Sequence, residues 1–263
     1  MMAQVSTEQG KRAVEVHSEQ AGKFAAWYDQ TDPYSSCFAY SRKRLDRLLD
    51  DYLPPTDAGL RLLDVGCGTG HQLARWSEYG YEVAGVDGSD EMLAHAQENN
   101  PGAELRQADA RQLPFDDASF DRVTSIEVLR YLPDPTACIR EMARVTKPGG
   151  VCLATAAPLL ALNAYAVVNR VGLAVPFGRL TRLKQFFTTS GRLQKQFREA
   201  GFSEVTIHGV YTGPLIWIER LAPKRLARAL RRWEPVDEKL ADRPVLRELS
   251  NMFLVSAVRG PGA

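Results

Sequence analysis

Near the start of the chain, apolar residues recur at helical spacing. They fall at Ala21, Phe24, Ala25 and Tyr28, then at Leu45, Leu48 and Leu49, with breaks at Asp32-Pro33 and Pro54-Pro55. The spacing predicts helices across residues 1–52. From residue 61 the period changes, and short apolar runs alternate with amphipathic stretches. Strands are predicted at 61–65, 81–87, 104–108, 120–126, 151–156, 202–208 and 250–258. Helices are predicted at 68–79, 89–99, 135–146 and 191–200, and a basic helical stretch at 215–233. Ser89 is the expected N-cap of the second of these, with Asp90 and Glu91 in its first turn and Pro101-Gly102 beyond its end. Strands separated by helices of this length indicate βαβ units, a parallel sheet and helices on both faces. The regular alternation is interrupted at about 157–187 and 211–248, which read as cap insertions. The chain is expected to be one domain, 1–263, with a helical N-terminal lid over 1–52 and a ligand-binding core over 60–156.

Charge changes the picture more than composition does. The 263 residues carry 33 Lys and Arg against 32 Asp and Glu. Residues 1–156 hold 16 basic and 24 acidic side chains, a net of −8, and the remainder hold 17 and 8, a net of +9. Opposite halves of this kind suggest two tasks. An apolar fraction of 44% excludes a disordered chain. Cys37, Cys67, Cys138 and Cys152 form no C-x-x-C pair, and His17, His71, His95 and His208 are scattered, so no metal site is expected. The N-terminal residues lack the apolar core of a signal peptide, and 159–177 is broken by Asn163, Asn169, Arg170 and Gly172. A cytoplasmic protein with reduced thiols is expected.

Candidate chemistry sits at the ends of consecutive strands, where open parallel sheets bind ligands. The first ends in Asp64-Val65-Gly66-Cys67-Gly68-Thr69-Gly70. Glycines there admit unusual backbone angles and close approach of a ligand, and the following helix start can hold a carboxylate. The second ends in Asp87, 21 residues after Gly66, where a carboxylate can accept from a ribose diol or cap a helix. The third ends in Asp109-Ala110, which can read an adenine edge or form a solvated turn. The fourth ends in Ser125-Ile126-Glu127. No basic residue lies in GCGTGHQ, which disfavours a pyrophosphate-binding site. His71 follows that loop and can serve either a ligand carboxylate or a helix start.

The runs LLDVGCGTG, VAGVDGSDEML, ADARQLPFDDASFD, IEVLRYLPDP and KPGG, in this order, resemble the motif series of class I S-adenosylmethionine-dependent methyltransferases. The resemblance is strong over 60–156 and weaker around 200–202 and the last strand. It implies an α/β, doubly wound, Rossmann-like sheet of seven strands with the last antiparallel, and S-adenosylmethionine as cofactor. It also implies that the first-strand turn, Asp64 to Gly70, lines the cofactor, with Gly66, Cys67 and Gly68 along its methionine and ribose portion. Asp87 would hold the ribose hydroxyls, Gly88 or Met92 would pack near adenine, Asp109 and Ala110 would read adenine, and Glu127 would lie near the sulfonium. Trp27-Tyr28-Asp29 loosely matches a Tyr-Asp that closes over the cofactor in such enzymes, and simple packing of Tyr28 is the alternative.

No obligatory catalytic residue is readable, because methyl transfer rests on alignment. Family members often carry a His just beyond the position of Leu129, where this chain has Arg130-Tyr131. Tyr131 can position or deprotonate an acceptor, Arg130 can pair with an acidic acceptor group, and both can be structural. His208 and His17 are bare possibilities. The apolar, aromatic insertion at 158–178 and the basic amphipathic stretch at 215–233 point to a small or lipid-like acceptor, modified at oxygen. Peripheral contact with an anionic membrane surface is possible on this reading, and a plain helix covering the sheet end is the alternative. Nucleic acid is disfavoured, since the basic residues lack interleaved aromatics. The competing functions are a non-catalytic cofactor-binding protein and an RNA methyltransferase.

Overall fold

A computed structural model describes residues 12–20, 22, 28, 30–167 and 184–261. Trp27, Asp29, the apolar positions Ala21, Phe24 and Ala25, and much of the first cap insertion lie outside these residues.

Eight strands form one sheet: β1 (Arg61–Val65), β2 (Glu82–Asp87), β3 (Glu104–Gln107), β4 (Phe120–Ser125), β5 (Thr146–Pro158), β6 (Phe187–Thr188), β7 (Thr206–Gly209) and β8 (Phe253–Val258). Seven run in the order β3-β2-β1-β4-β5-β8-β7, and the two-residue β6 pairs with the end of β5. β1 lies parallel to both β2 and β4, β2 to β3, and β4 to β5. β8 is antiparallel to β5 and to β7. The chain winds outward from β1 to β3 and then returns to β4, so the strand order reverses between β1 and β4. Ligands bind at the C-terminal strand ends beside such a reversal.

The helices are α1 (Cys37–Tyr52), α2 (His71–Glu78), α3 (Asp90–Asn99), α4 (Thr136–Val145), α5 (Ser190–Glu199), α6 (Leu215–Leu221) and α7 (Pro223–Leu240). A single turn of 3-10 helix, Leu129–Tyr131, follows β4. The period-2 pattern of the strands sends neighbouring residues to opposite faces. Leu63, Val123, Phe253 and Val255 pack with Ile139, Met142 and Phe197 on one face. Leu62, Leu153 and Leu254 pack with Leu45, Leu49 and Trp76 on the other.

Boundaries differ from the sequence expectation where backbone geometry intervenes. Ser89 caps α3 as expected, accepting from the Met92 N–H at 3.1 Å. α2 starts at His71 rather than Gly68, because Gly68 and Gly70 adopt φ of +53° and +77°. KPGG does not precede β5 but lies inside it. Phe120 pairs with Thr146 and Arg122 with Val151, so Lys147–Gly150 forms a bulge opposite Asp121. The stretch 215–233 divides at Ala222 (φ −145°), where Pro223 opens α7, and α7 continues to Leu240. Among the described residues no helix is long and apolar enough to cross a membrane.

Candidate active site

A cleft of about 1260 Å³ opens above the C-terminal ends of β1, β2, β3 and β4. Gly68, Asp87 and Asp109, from three separate β–α junctions, line it together. So do Tyr28, Asp64, Gly66, Cys67, Gly88, Met92, Ala110 and Glu127. Two expected residues do not. Gly70 turns the chain into α2, and a Cβ there would meet Asn100 Nδ2 at 2.5 Å. His208 stands on β7, bonded to the Tyr52 hydroxyl at 2.7 Å and to Asp242 at 2.8 Å. Both are structural positions.

The cradle is made by backbone. Gly66 adopts φ of +78°, and a Cβ on it would lie 2.2 Å from Val128 Cγ2, so only glycine lets the turn close on β4. A Cβ on Gly68 would meet nothing within 4 Å. Bare main chain there faces open cleft, as close ligand approach requires. The two carboxylate oxygens of Asp87 accept from the N–H groups of Gly68 and Ser89, each at 2.9 Å. These bonds fix the carboxylate and use one acceptor site on each oxygen, leaving sites for a diol.

Asp64 is 3% exposed and accepts from the Thr124 hydroxyl at 2.7 Å. Burial pushes its pKa up to about 7; the Thr124 bond opposes the shift and the Asp87 charge adds to it. Burial likewise raises the Asp87 carboxyl, against the pull of the Ser89 and Gly68 N–H groups. Two carboxylates at the cradle, Asp64 buried and Asp87 half-buried, suit a positively charged ligand. Asp109 differs: Arg111 Nε donates to both its oxygens, at 2.9 and 3.1 Å, and this pair holds the carboxyl below its ordinary range. An adenine amine at Asp109 would share the carboxylate with Arg111.

Two further segments cover the cleft. In the segment 12–20, Val14 stands over Gly88, Ser18 Oγ lies 2.6 Å from Ser89 Oγ, and the His17 ring meets Tyr131 edge-on at 4.9 Å. Tyr28 stacks on His71 at 4.4 Å, with the Arg42 guanidinium 4.8 Å over its ring. Arg42 donates to His71 Nε2 at 2.6 Å. Arginine has no acceptor, so that nitrogen is the acceptor in this pair.

Glu127 has φ of +64°, a left-handed conformation that costs a non-glycine residue strain. Its N–H donates to Thr155 Oγ1 at 2.6 Å, and its carboxylate receives Arg130. The strain aims a carboxylate into the cleft beside the cradle. Tyr131 lines the same wall, its phenol pushed up to about 12 by burial. Near neutral pH it is a hydrogen-bond donor rather than a base. Tyr165, Tyr211, Leu215, Ile216, Arg220 and Met252 line the same cleft. None of these was singled out as a site residue from sequence. They come from four segments that only folding brings together; the aromatic content of the insertions and the basic stretch 215–233, which includes Arg220, were their signals.

A family model described as a methyltransferase domain matches residues 63–154. The ubiquinone biosynthesis O-methyltransferase of Xanthomonas axonopodis pv. citri is 32% identical over 208 residues, covering 75% of this chain and 86% of that protein. The chain belongs to the class I S-adenosylmethionine-dependent methyltransferases. The malonyl-acyl-carrier-protein O-methyltransferase of Erwinia pyrifoliae is 36% identical over 149 residues, 56% of each chain, so this methyltransferase spans little more than half of that relative. Among solved structures, the magnesium protoporphyrin IX methyltransferase of Synechocystis PCC 6803 with bound SAH superimposes with a TM-score of 0.60 at 16% identity. That match covers 96% of this chain and all of that one, which shows a shared fold. The cofactor of this methyltransferase is S-adenosylmethionine, and a cradle with bare glycine backbone and a fixed, half-buried carboxylate fits it.

Proposed function

We propose that this enzyme transfers a methyl group from S-adenosylmethionine to an oxygen of a small or lipid-like acceptor. One observation carries the reading. The cofactor cradle and a chamber lined by Tyr131, Tyr165, Tyr211, Leu215 and Met252 are parts of one continuous cleft. The two similar relatives are named for methylation at oxygen, one in ubiquinone biosynthesis, which supports the choice of atom and an apolar acceptor.

In this reading Asp87 accepts from the ribose diol, Gly66 to Gly68 follow the methionine portion, and Gly88 and Met92 flank the adenine that Asp109 and Ala110 read. Tyr28, held by Arg42 and His71, closes the methionine end. When bound, the cofactor supplies an electrophilic methyl carbon on a sulfonium. The chain supplies alignment of the acceptor oxygen behind that carbon, an effect worth roughly 7–11 kcal/mol in well-oriented systems. Glu127 presents a negative charge beside the reacting centre and can receive the acceptor's proton on the carboxylate oxygen that Arg130 leaves open. Tyr131, as a neutral phenol, orients the acceptor by donating to it.

The α7 surface adds a setting for this chemistry. Lys224, Arg225, Arg228, Arg231 and Arg232 are exposed, and among the described residues only Arg231 of these approaches a carboxylate, Asp32 at 3.6 Å. Leu160, Leu162, Val167 and Leu221 are exposed as well. Cations next to apolar side chains suit peripheral contact with an anionic membrane surface, from which a lipid-like acceptor would be drawn.

Turnover of methyl-labelled cofactor against a lipid extract tests the reading. Label should enter an organic-soluble product and survive nuclease treatment of the extract. Label confined to nuclease-sensitive material, or cofactor binding with no turnover on any extract, would overturn it.

A further inference from the structure

We infer that the acceptor chamber contains an anion subsite, formed by Arg220 of α6 and Arg130 of the 3-10 turn. It receives a carboxylate or phosphate carried by the acceptor at a distance from the methylated oxygen. The inference rests on the acceptor reading above and names a feature of that acceptor.

Three observations converge on it. Arg130 lies in the chamber wall with only 18% of its side chain exposed. One of its terminal nitrogens donates to Glu127, yet its Nε is fully shielded and has no protein partner. The Glu127 pair uses one of its donors, so the guanidinium keeps hydrogen-bonding capacity on the cleft wall. Burial disfavours its charge and Glu127 more than restores it, so Arg130 remains a cation.

Arg220 lines the same chamber, half-buried, and makes no ion pair among the described residues. Its neighbour Glu219 accepts from the Cys37 N–H at 3.0 Å and forms no ion pair with Arg220 among the described residues. The two arginines line the cleft together with the Tyr165 ring. The Tyr165 phenol is raised by burial and lowered by the charges of both Arg130 and Arg220, which places both within electrostatic reach of it.

The chemistry of the side chain decides the ligand: the planar fork of arginine matches carboxylate and phosphate oxygens. A cation on the attacked oxygen itself would blunt its nucleophilicity, so the anion is a second group on the acceptor.

Calorimetry on the enzyme saturated with S-adenosylhomocysteine tests this with three probes: 4-hydroxybenzoate, 4-hydroxyphenyl phosphate and the neutral 4-hydroxybenzamide. At least one anionic probe should bind tenfold or more tighter than the amide, and which anion wins distinguishes carboxylate from phosphate. Arg220→Gln should remove at least fivefold of that preference while leaving S-adenosylhomocysteine affinity and Tm unchanged. Arg130→Lys, which keeps the charge and loses the fork, should weaken it with the thermal transition retained. Equal binding of the three probes, binding of none, or an anion preference intact in Arg220→Gln would overturn the subsite. The methyl-acceptor reading would survive any of these, since labelled turnover tests it separately.

Discussion

The two halves of the cleft are built from different materials. The cofactor half is mostly main chain: Gly66 and Gly68 in left-handed turns, and an Asp87 carboxylate fixed by two N–H groups. Its parts come from three successive β–α junctions whose positions follow from the sheet. The acceptor half is mostly side chain, drawn from the 3-10 turn after β4, the insertion after β5, the end of β7 and α6. A cradle of backbone accommodates one ligand shape. A chamber of side chains can be re-lined without disturbing the sheet. One half thus identifies the reaction class, and the other carries the identity of the acceptor.

That division breaks most visibly at Asp87. Asp87→Ala should weaken S-adenosylhomocysteine binding by roughly 1.5–3 kcal/mol, the scale of hydrogen bonds to a charged group. Calorimetry reads this directly, and unchanged affinity would remove Asp87 from the cofactor half.

Asp64 sharpens the comparison through pH. Its folded pKa of about 7 lies above the ordinary 3.8, so the folded chain holds that proton more tightly than the unfolded chain. Its contribution to stability is fully present below pH 4 and is lost as pH rises through 7, by up to about 1.4 kcal/mol per unit. The Tm of the ligand-free enzyme should fall over this window. Asp64→Asn should flatten the fall, and a cationic ligand in the cradle should oppose it. Thermal scans from pH 4.5 to 8 check all three, and an identical pH profile in Asp64→Asn would contradict the assignment.

In the acceptor half, Tyr165→Phe should leave S-adenosylhomocysteine affinity within about 0.5 kcal/mol of wild type. It should raise the KM for acceptor, because it removes a chamber hydroxyl outside the cradle. Calorimetry and steady-state rates on the same sample separate these effects, and a loss of cofactor affinity would blur the two halves. The smallest effect is expected at His208, whose bonds to Tyr52 and Asp242 lie away from the cleft. His208→Gln should cost about 1 kcal/mol of stability or less and leave kcat unchanged.

The same division governs what the sequence disclosed. Glycine spacing and acidic residues at strand ends encode the cradle locally, so Gly66, Gly68, Asp87 and Asp109 were legible before any fold was known. The alternation of strands and helices predicted a parallel sheet with helices on both faces, while seven strands with the last antiparallel came from the family resemblance. Gly70 looked like part of the cradle because sequence shows a glycine but not which way its backbone turns; here it starts α2. His208 looked available because titratable chemistry in sequence carries no position, and folding spent it on Tyr52 and Asp242. Tyr165, Tyr211 and Arg220 were not identified as site residues, since nothing local marks a residue that meets its partners across the chamber. The same holds for β6, a two-residue strand defined only by its pairing with β5.

A crystal structure with S-adenosylhomocysteine bound tests the central claim most directly. The account predicts density with the ribose diol on the Asp87 carboxylate, adenine beside Asp109 and Ala110, and the thioether pointing toward Glu127 and Tyr131. Density elsewhere in the cleft, with Asp87 touching no hydroxyl, would contradict it.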